Sequence, residues 1–144
     1  MTPTTRATAT IATVGIIAGA IGTARAQGGF TNRHGSDVGY AALDMHLMSF
    51  NRLGGLIAMA LGALALLGTL RAAQALVALA AIGYGAFAIQ TLIGFRQTDG
   101  GNITGANGAT LSFCLLMAIG LGTLTWTEHT ARNPTTRTRA DQAN

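Results

Sequence analysis

The chain has 144 residues, 49% of them hydrophobic and only 10% charged, with a formal net charge of +4 in which every basic residue is an arginine. So little charge excludes an ordinary soluble surface, for which about a quarter of residues are charged. Outside the C-terminal tail the arginines stand singly near the ends of apolar segments, which argues against a nucleic-acid interface despite a pI near 10.7; the lone Cys114 excludes an internal disulfide or a multi-cysteine metal site.

Residues 1–7 read as a polar tail leading into a modestly hydrophobic segment, residues 8–24. Arg6, the apolar stretch and Ala24-Arg25-Ala26 before Gln27 also fit the outline of a secretory signal peptide. Arg25 is an awkward charge within that cleavage motif. Gly15 with Gly19, and Ala18 with Gly22, are small residues four apart that let helices approach closely in a membrane, so a retained first helix is expected. Residues 28–44 are polar and glycine-rich and read as a loop, long for a helix connection.

Between Leu53 and Phe95 the sole charged residue is Arg71, and it divides two apolar runs. At helical rise, residues 53–70 and 72–95 extend about 27 and 36 Å against a hydrocarbon core of about 30 Å, so each can cross. Lipid offers no partner for backbone amides and carbonyls, which makes both helices. The second span is expected to begin early, over residues 47–70, because residues 40–50 are mildly amphipathic; Gly54, Ala58 and Gly62 give it a smooth face. A tight turn at Arg71 makes the second and third spans antiparallel neighbours. Residues 96–107 form a second polar loop with a turn signal at Asp99-Gly100-Gly101-Asn102, residues 107–127 the fourth span with Trp126 at headgroup level, and residues 130–144 a disordered tail. The expected architecture is all-α: a membrane-embedded up-down four-helix bundle with disordered termini.

Orientation follows from the arginines. With both termini cytoplasmic, Arg6, Arg71, Arg132, Arg137 and Arg139 lie inside, and Arg25, Arg33, Arg52 and Arg96 outside. The clustered tail arginines and the short turn at Arg71 favour this arrangement in a plasma membrane.

Three helix ends then converge on the outer side and supply the best site candidate: Asp44, His46, Asn51 and Arg52 near the start of the second span, Gln90 and Arg96 at the end of the third, Asn107 at the start of the fourth. Polar groups at that depth are costly to leave unpaired, so Asn51, Gln90 and Asn107 are expected to hydrogen-bond to one another or to nearby backbone and to hold the bundle together. A metal site from His34, Asp44 and His46 is not expected: Asp44 and His46 are two apart, a spacing that points them to different sides of a helix, and His129 lies at the opposite end. No ionisable residue falls at mid-membrane, which argues against a coupled pump. The glycines form no phosphate-binding fingerprint. Neither a metal nor a cofactor is expected.

Four short motifs carry a resemblance: His34-Gly35-Ser36-Asp37, Phe50-Asn51-Arg52-Leu53-Gly54, Ile82-Gly83-Tyr84-Gly85 and Ala106-Asn107-Gly108-Ala109-Thr110. Their order resembles a family of small four-pass membrane proteins from high-GC Gram-positive bacteria, catalogued as a domain of unknown function. The resemblance spans roughly residues 8–127, implies four retained spans and supplies no activity. Members tend to carry Asn-x-x-His at the starts of the second and fourth spans; here the histidine positions are Gly54 and Thr110.

The leading expectation is a non-enzymatic membrane protein that works by packing, as a homo-oligomer or as an accessory subunit of a larger membrane complex, with the lipid bilayer as its medium. The competing readings are a small transporter or channel component with the outer polar cluster as its entrance, and a redox or metal-handling enzyme.

Overall fold

The computed structural model describes residues 2–26, 30, 36–38, 48–94 and 103–132. Four helices dominate: α1 (Pro3–Arg25), α2 (Arg52–Leu70), α3 (Gln74–Gly94) and α4 (Gly108–Arg132), with a short antiparallel ribbon of β1 (Ser36–Val38) and β2 (Met48–Phe50) between α1 and α2. In the ribbon Ser36 faces Phe50 and Val38 faces Met48. All four helices are long and apolar enough to cross a membrane. The all-α bundle is as the sequence predicts.

Three boundaries differ from the sequence expectation. Helix α1 begins at Pro3, inside the stretch read as a polar tail, because Thr2 caps it, accepting from the Thr5 amide at 3.2 Å, and Pro3 supplies a preset φ at the first helical position. Helix α2 does not start early. Residues 48–50 are strand, and Asn51, extended at φ −90° and ψ −178°, starts the helix with its own side chain. Helix α4 runs on to Arg132, past residue 127, and the Thr130 hydroxyl donates back to the Trp126 carbonyl at 3.1 Å. The loop assigned to residues 28–44 holds strand β1; the remainder of that loop apart from Phe30, the turn at residues 99–102 and the tail from residue 133 lie outside the described residues.

The bundle is inverted relative to a soluble protein. Its interior is lined by small residues, with Ala12, Ala58, Ala65, Ala80 and Cys114 fully buried, while Ile17, Leu79, Ile82, Ile89, Leu116 and Ile119 point outward. In water such a surface would be an aggregation patch; in lipid it costs nothing, and tight packing of small residues takes over as the force between helices. The contact of α1 with α2 shows this most clearly. A Cβ built on Gly19 would strike the Met59 amide nitrogen and lie 2.9 Å from the Met59 Cα; one on Gly62 would lie 2.7 Å from the Ile16 nitrogen. Backbone meets backbone at these points. The small-residue faces read from sequence are therefore used within the chain.

Threonines enter the apolar helices by bonding to their own backbone. Thr8, Thr13, Thr69, Thr91 and Thr125 each donate to the carbonyl four residues earlier, at 2.7–2.9 Å. Tyr84, fully buried, instead donates across to the Ala58 carbonyl of α2 at 2.8 Å and meets the Phe113 ring edge-on with centroids 6.3 Å apart. Its hydroxyl occupies the space a Cβ at Gly15 would need, so α1, α2, α3 and α4 all meet around this one ring.

The α2–α3 turn ends α2 in a Schellman motif. The Ala73 amide donates to the Gly68 carbonyl at 2.8 Å and the Ala72 amide to the Thr69 carbonyl at 3.3 Å, with Ala72 at φ 53°. Glycine is the usual residue there because a Cβ is strained in the left-handed region. Ala72→Gly is expected to stabilise the protein by about 1 kcal/mol, read as a higher melting temperature in detergent; an unchanged or lower melting temperature would mean that the turn does not hold this geometry.

Candidate functional site

The expected convergence of helix ends is present, and it is built from two matching caps. At the start of α2 the Asn51 Oδ1 accepts from the Gly54 amide at 2.8 Å; at the start of α4 the Asn107 Oδ1 accepts from the Thr110 amide at 2.9 Å. Asparagine suits both places because its short carbonyl reaches the orphan amide three residues on.

The two caps are joined to each other through the chain that precedes them. Asn51 is 1% exposed; its Nδ2 donates to the Ile103 carbonyl at 2.6 Å and its backbone amide to the Thr104 carbonyl at 2.9 Å. The Thr104 hydroxyl donates to the Gln90 Oε1 at 3.3 Å, which ties in the end of α3. On the other flank the Thr110 hydroxyl accepts from the Ser49 amide at 3.1 Å and donates to the Ser49 carbonyl at 2.8 Å, with the Asn107 Oδ1 3.0 Å away. The Ser49 hydroxyl donates to the Gly105 carbonyl at 2.7 Å, where the chain turns through φ 63°.

Of the site residues expected from sequence, Asn51, Gln90 and Asn107 thus belong to one network, with Asn51 linked to Gln90 through Thr104 and Asn107 linked to β2 through Thr110. Arg52 is exposed on the first turn of α2 and takes no part. Asp44, His46, His34 and Arg96 lie outside the described residues. Sequence reasoning missed Ser49, Thr104 and Thr110, all buried. Asn107-x-x-Thr110 has the spacing of a cap with its third helical residue, a signal that could have found Thr110. Ser49 and Thr104 announce nothing locally.

The two positions at which the resembled family carries histidine are both closely packed. A Cβ at Gly54 would lie 2.6 Å from the Thr104 carbonyl oxygen, and Thr110 is fully buried between α4 and β2. An imidazole at Gly54 would have to displace the segment that Asn51 holds. Among the described residues, every buried side-chain nitrogen and oxygen has a hydrogen-bond partner, and no group of three His, Cys, Asp or Glu is placed to share a metal ion.

Four apolar helices make the chain a multi-pass integral membrane protein. It matches no model of a known protein family, no curated protein and no solved structure.

Proposed function

We propose that the protein is a non-enzymatic subunit of the plasma membrane that acts by packing, either with further copies of itself or beside a larger membrane complex, with both termini cytoplasmic. The observation that carries this reading is the polar cluster at the loop end: its described members are engaged in capping and tying helix ends, an arrangement suited to rigidity and not to passing a solute. The small faces of α1 and α2 are taken up by each other, which leaves the outward sides of α3 and α4 for contact with a neighbour. The order of motifs that resembles the small four-pass family of high-GC Gram-positive bacteria supports four retained spans, and the arginine distribution supports the orientation.

Blue-native electrophoresis after mild detergent extraction is expected to show a particle larger than one chain in its detergent belt. A strictly monomeric particle with no co-purifying protein would count against the proposal. Reporter fusions at the two tips are expected to report the same, cytoplasmic, side.

A further inference from the structure

We infer that the end of the bundle formed by the starts of α1 and α3 and the ends of α2 and α4 holds a binding site for a small monovalent cation, with Glu128 as its charged ligand. The site is a cavity of about 100 Å³ walled by all four helices: Thr5 and Thr8 from the start of α1, Thr69 from the end of α2, Gln74 from the start of α3, Thr125 and Glu128 from α4. A single water needs about 10–15 Å³ by this measure, so the space admits an ion with part of its hydration shell.

The lining selects the sign of the occupant. The hydroxyl protons of Thr8, Thr69 and Thr125 are held by the carbonyls of Thr4, Ala65 and Leu121, at 2.9, 2.8 and 2.7 Å, so these three oxygens can only accept a hydrogen bond or coordinate a cation. Gln74 brings donors, and its Nε2 is directed at the Glu128 Oε2, 3.2 Å away. An ionised carboxylate has about four acceptor sites, and the amide occupies one of them. No arginine or histidine is among the residues that line the cavity. Two helices present amino ends here and two present carboxyl ends, so their dipoles offset, and Glu128 is the one charged residue in the cavity lining.

The ligand set also selects the class of cation. Every candidate ligand is a hard oxygen, which disfavours the later transition metals. One carboxylate is too little charge for calcium, which gathers several, while magnesium demands a near-ideal octahedron. A single positive charge with weak directional demands fits: an alkali-metal ion, or an ammonium whose N–H groups meet the accepting threonines. Sequence gave no hint of this site. Thr5, Thr69, Gln74 and Glu128 look like ordinary helix-end residues until four chain segments are brought together.

The test uses the full chain purified in detergent in choline chloride, whose quaternary nitrogen has no N–H to donate and is shielded by methyl groups from close coordination by oxygen, titrated with sodium, potassium or methylammonium chloride at constant ionic strength. A saturable rise in melting temperature is expected with at least one of the three, and the responding cation tells alkali metal from ammonium. Glu128→Gln keeps an oxygen for the Gln74 amide and removes the charge; it is expected to melt near wild type in choline and to lose the rise. Thr69→Val and Thr125→Val, which keep the side-chain shape, are expected to move the titration midpoint about tenfold higher, as for a lost bond to a charged group. The inference is overturned if no cation gives a saturable rise, or if the rise persists in Glu128→Gln. Should Glu128→Gln not fold, unchanged midpoints in both threonine variants overturn it equally.

Discussion

Gly19→Ala is expected to loosen α1 from the rest of the bundle at a cost of about 3 kcal/mol or more, a severe effect for the addition of one methyl group. The reason is the identity of the obstacle. The new Cβ meets the Met59 backbone and, at 2.5 Å, the Gly55 carbonyl oxygen, and backbone of a packed helix cannot swing aside as a side-chain tip can. Relief requires the helices to separate, which breaks the neighbouring contacts of Gly55 with Thr23 and of Gly62 with Ala12 as well. Gly122→Ala on α4 is the matched control, since a Cβ there meets nothing within 4 Å. It is expected to be neutral or to stabilise by about 0.5–1 kcal/mol through the helix preference of alanine over glycine. Melting temperatures in detergent measure both. Equal effects at the two positions would show that α1 does not pack on α2 as described. A chain cleaved before Gln27 would lack α1 and be indifferent to the substitution at Gly19, so the same pair of variants decides whether the first helix is retained.

Asn51→Leu is the second severe change expected, again about 3 kcal/mol. It leaves the Gly54 amide, which the cap satisfies, without its partner in a buried place and the Ile103 carbonyl without its partner in a part-buried one, each at about 1–3 kcal/mol. Asn51→Asp separates the two parts: an aspartate can still accept from Gly54, but it sets an acceptor against the Ile103 carbonyl where Nδ2 now donates. An intermediate loss is expected. Asn107→Leu disturbs a less buried cap and is expected to cost about 1 kcal/mol. In each variant the amount of protein in the membrane, followed by quantitative immunoblot, is expected to fall with stability. Normal abundance together with altered solute flux would overturn the packing role and favour a transporter with its entrance at this cluster.

The cluster at the loop end is half legible in the sequence. Asn51 and Asn107 declare themselves, because an asparagine at the border between a polar loop and an apolar run has few other uses than a cap. Gln90 declares itself by its polarity within an apolar span. Their connection does not show, because it runs through the Ile103, Thr104 and Gly105 carbonyls and through Ser49, groups that any loop possesses. The start of α2 does not show in the sequence for a related reason. Residues 48–50 have an apolar, weakly amphipathic composition that suits helix or strand, and the pairing with residues 36–38 settles it by supplying backbone partners from outside the segment.

The number of spans and their approximate extents follow from local quantities: the length of each uncharged run against the thickness of lipid, and the need of every peptide group there to bond within its own helix. No distant contact enters that calculation, so a linear reading suffices. Which glycines face which backbone, that Tyr84 reaches the Ala58 carbonyl, that Ser49 and Thr110 meet across 61 positions, and that threonines from three helices surround Glu128 are facts of another kind. They depend on distances between segments remote in the chain, and in a bundle whose interior is largely alanine and glycine many rotations of each helix would look equally apolar. Close backbone approach selects one rotation for each helix, and with it the polar groups that meet at either end.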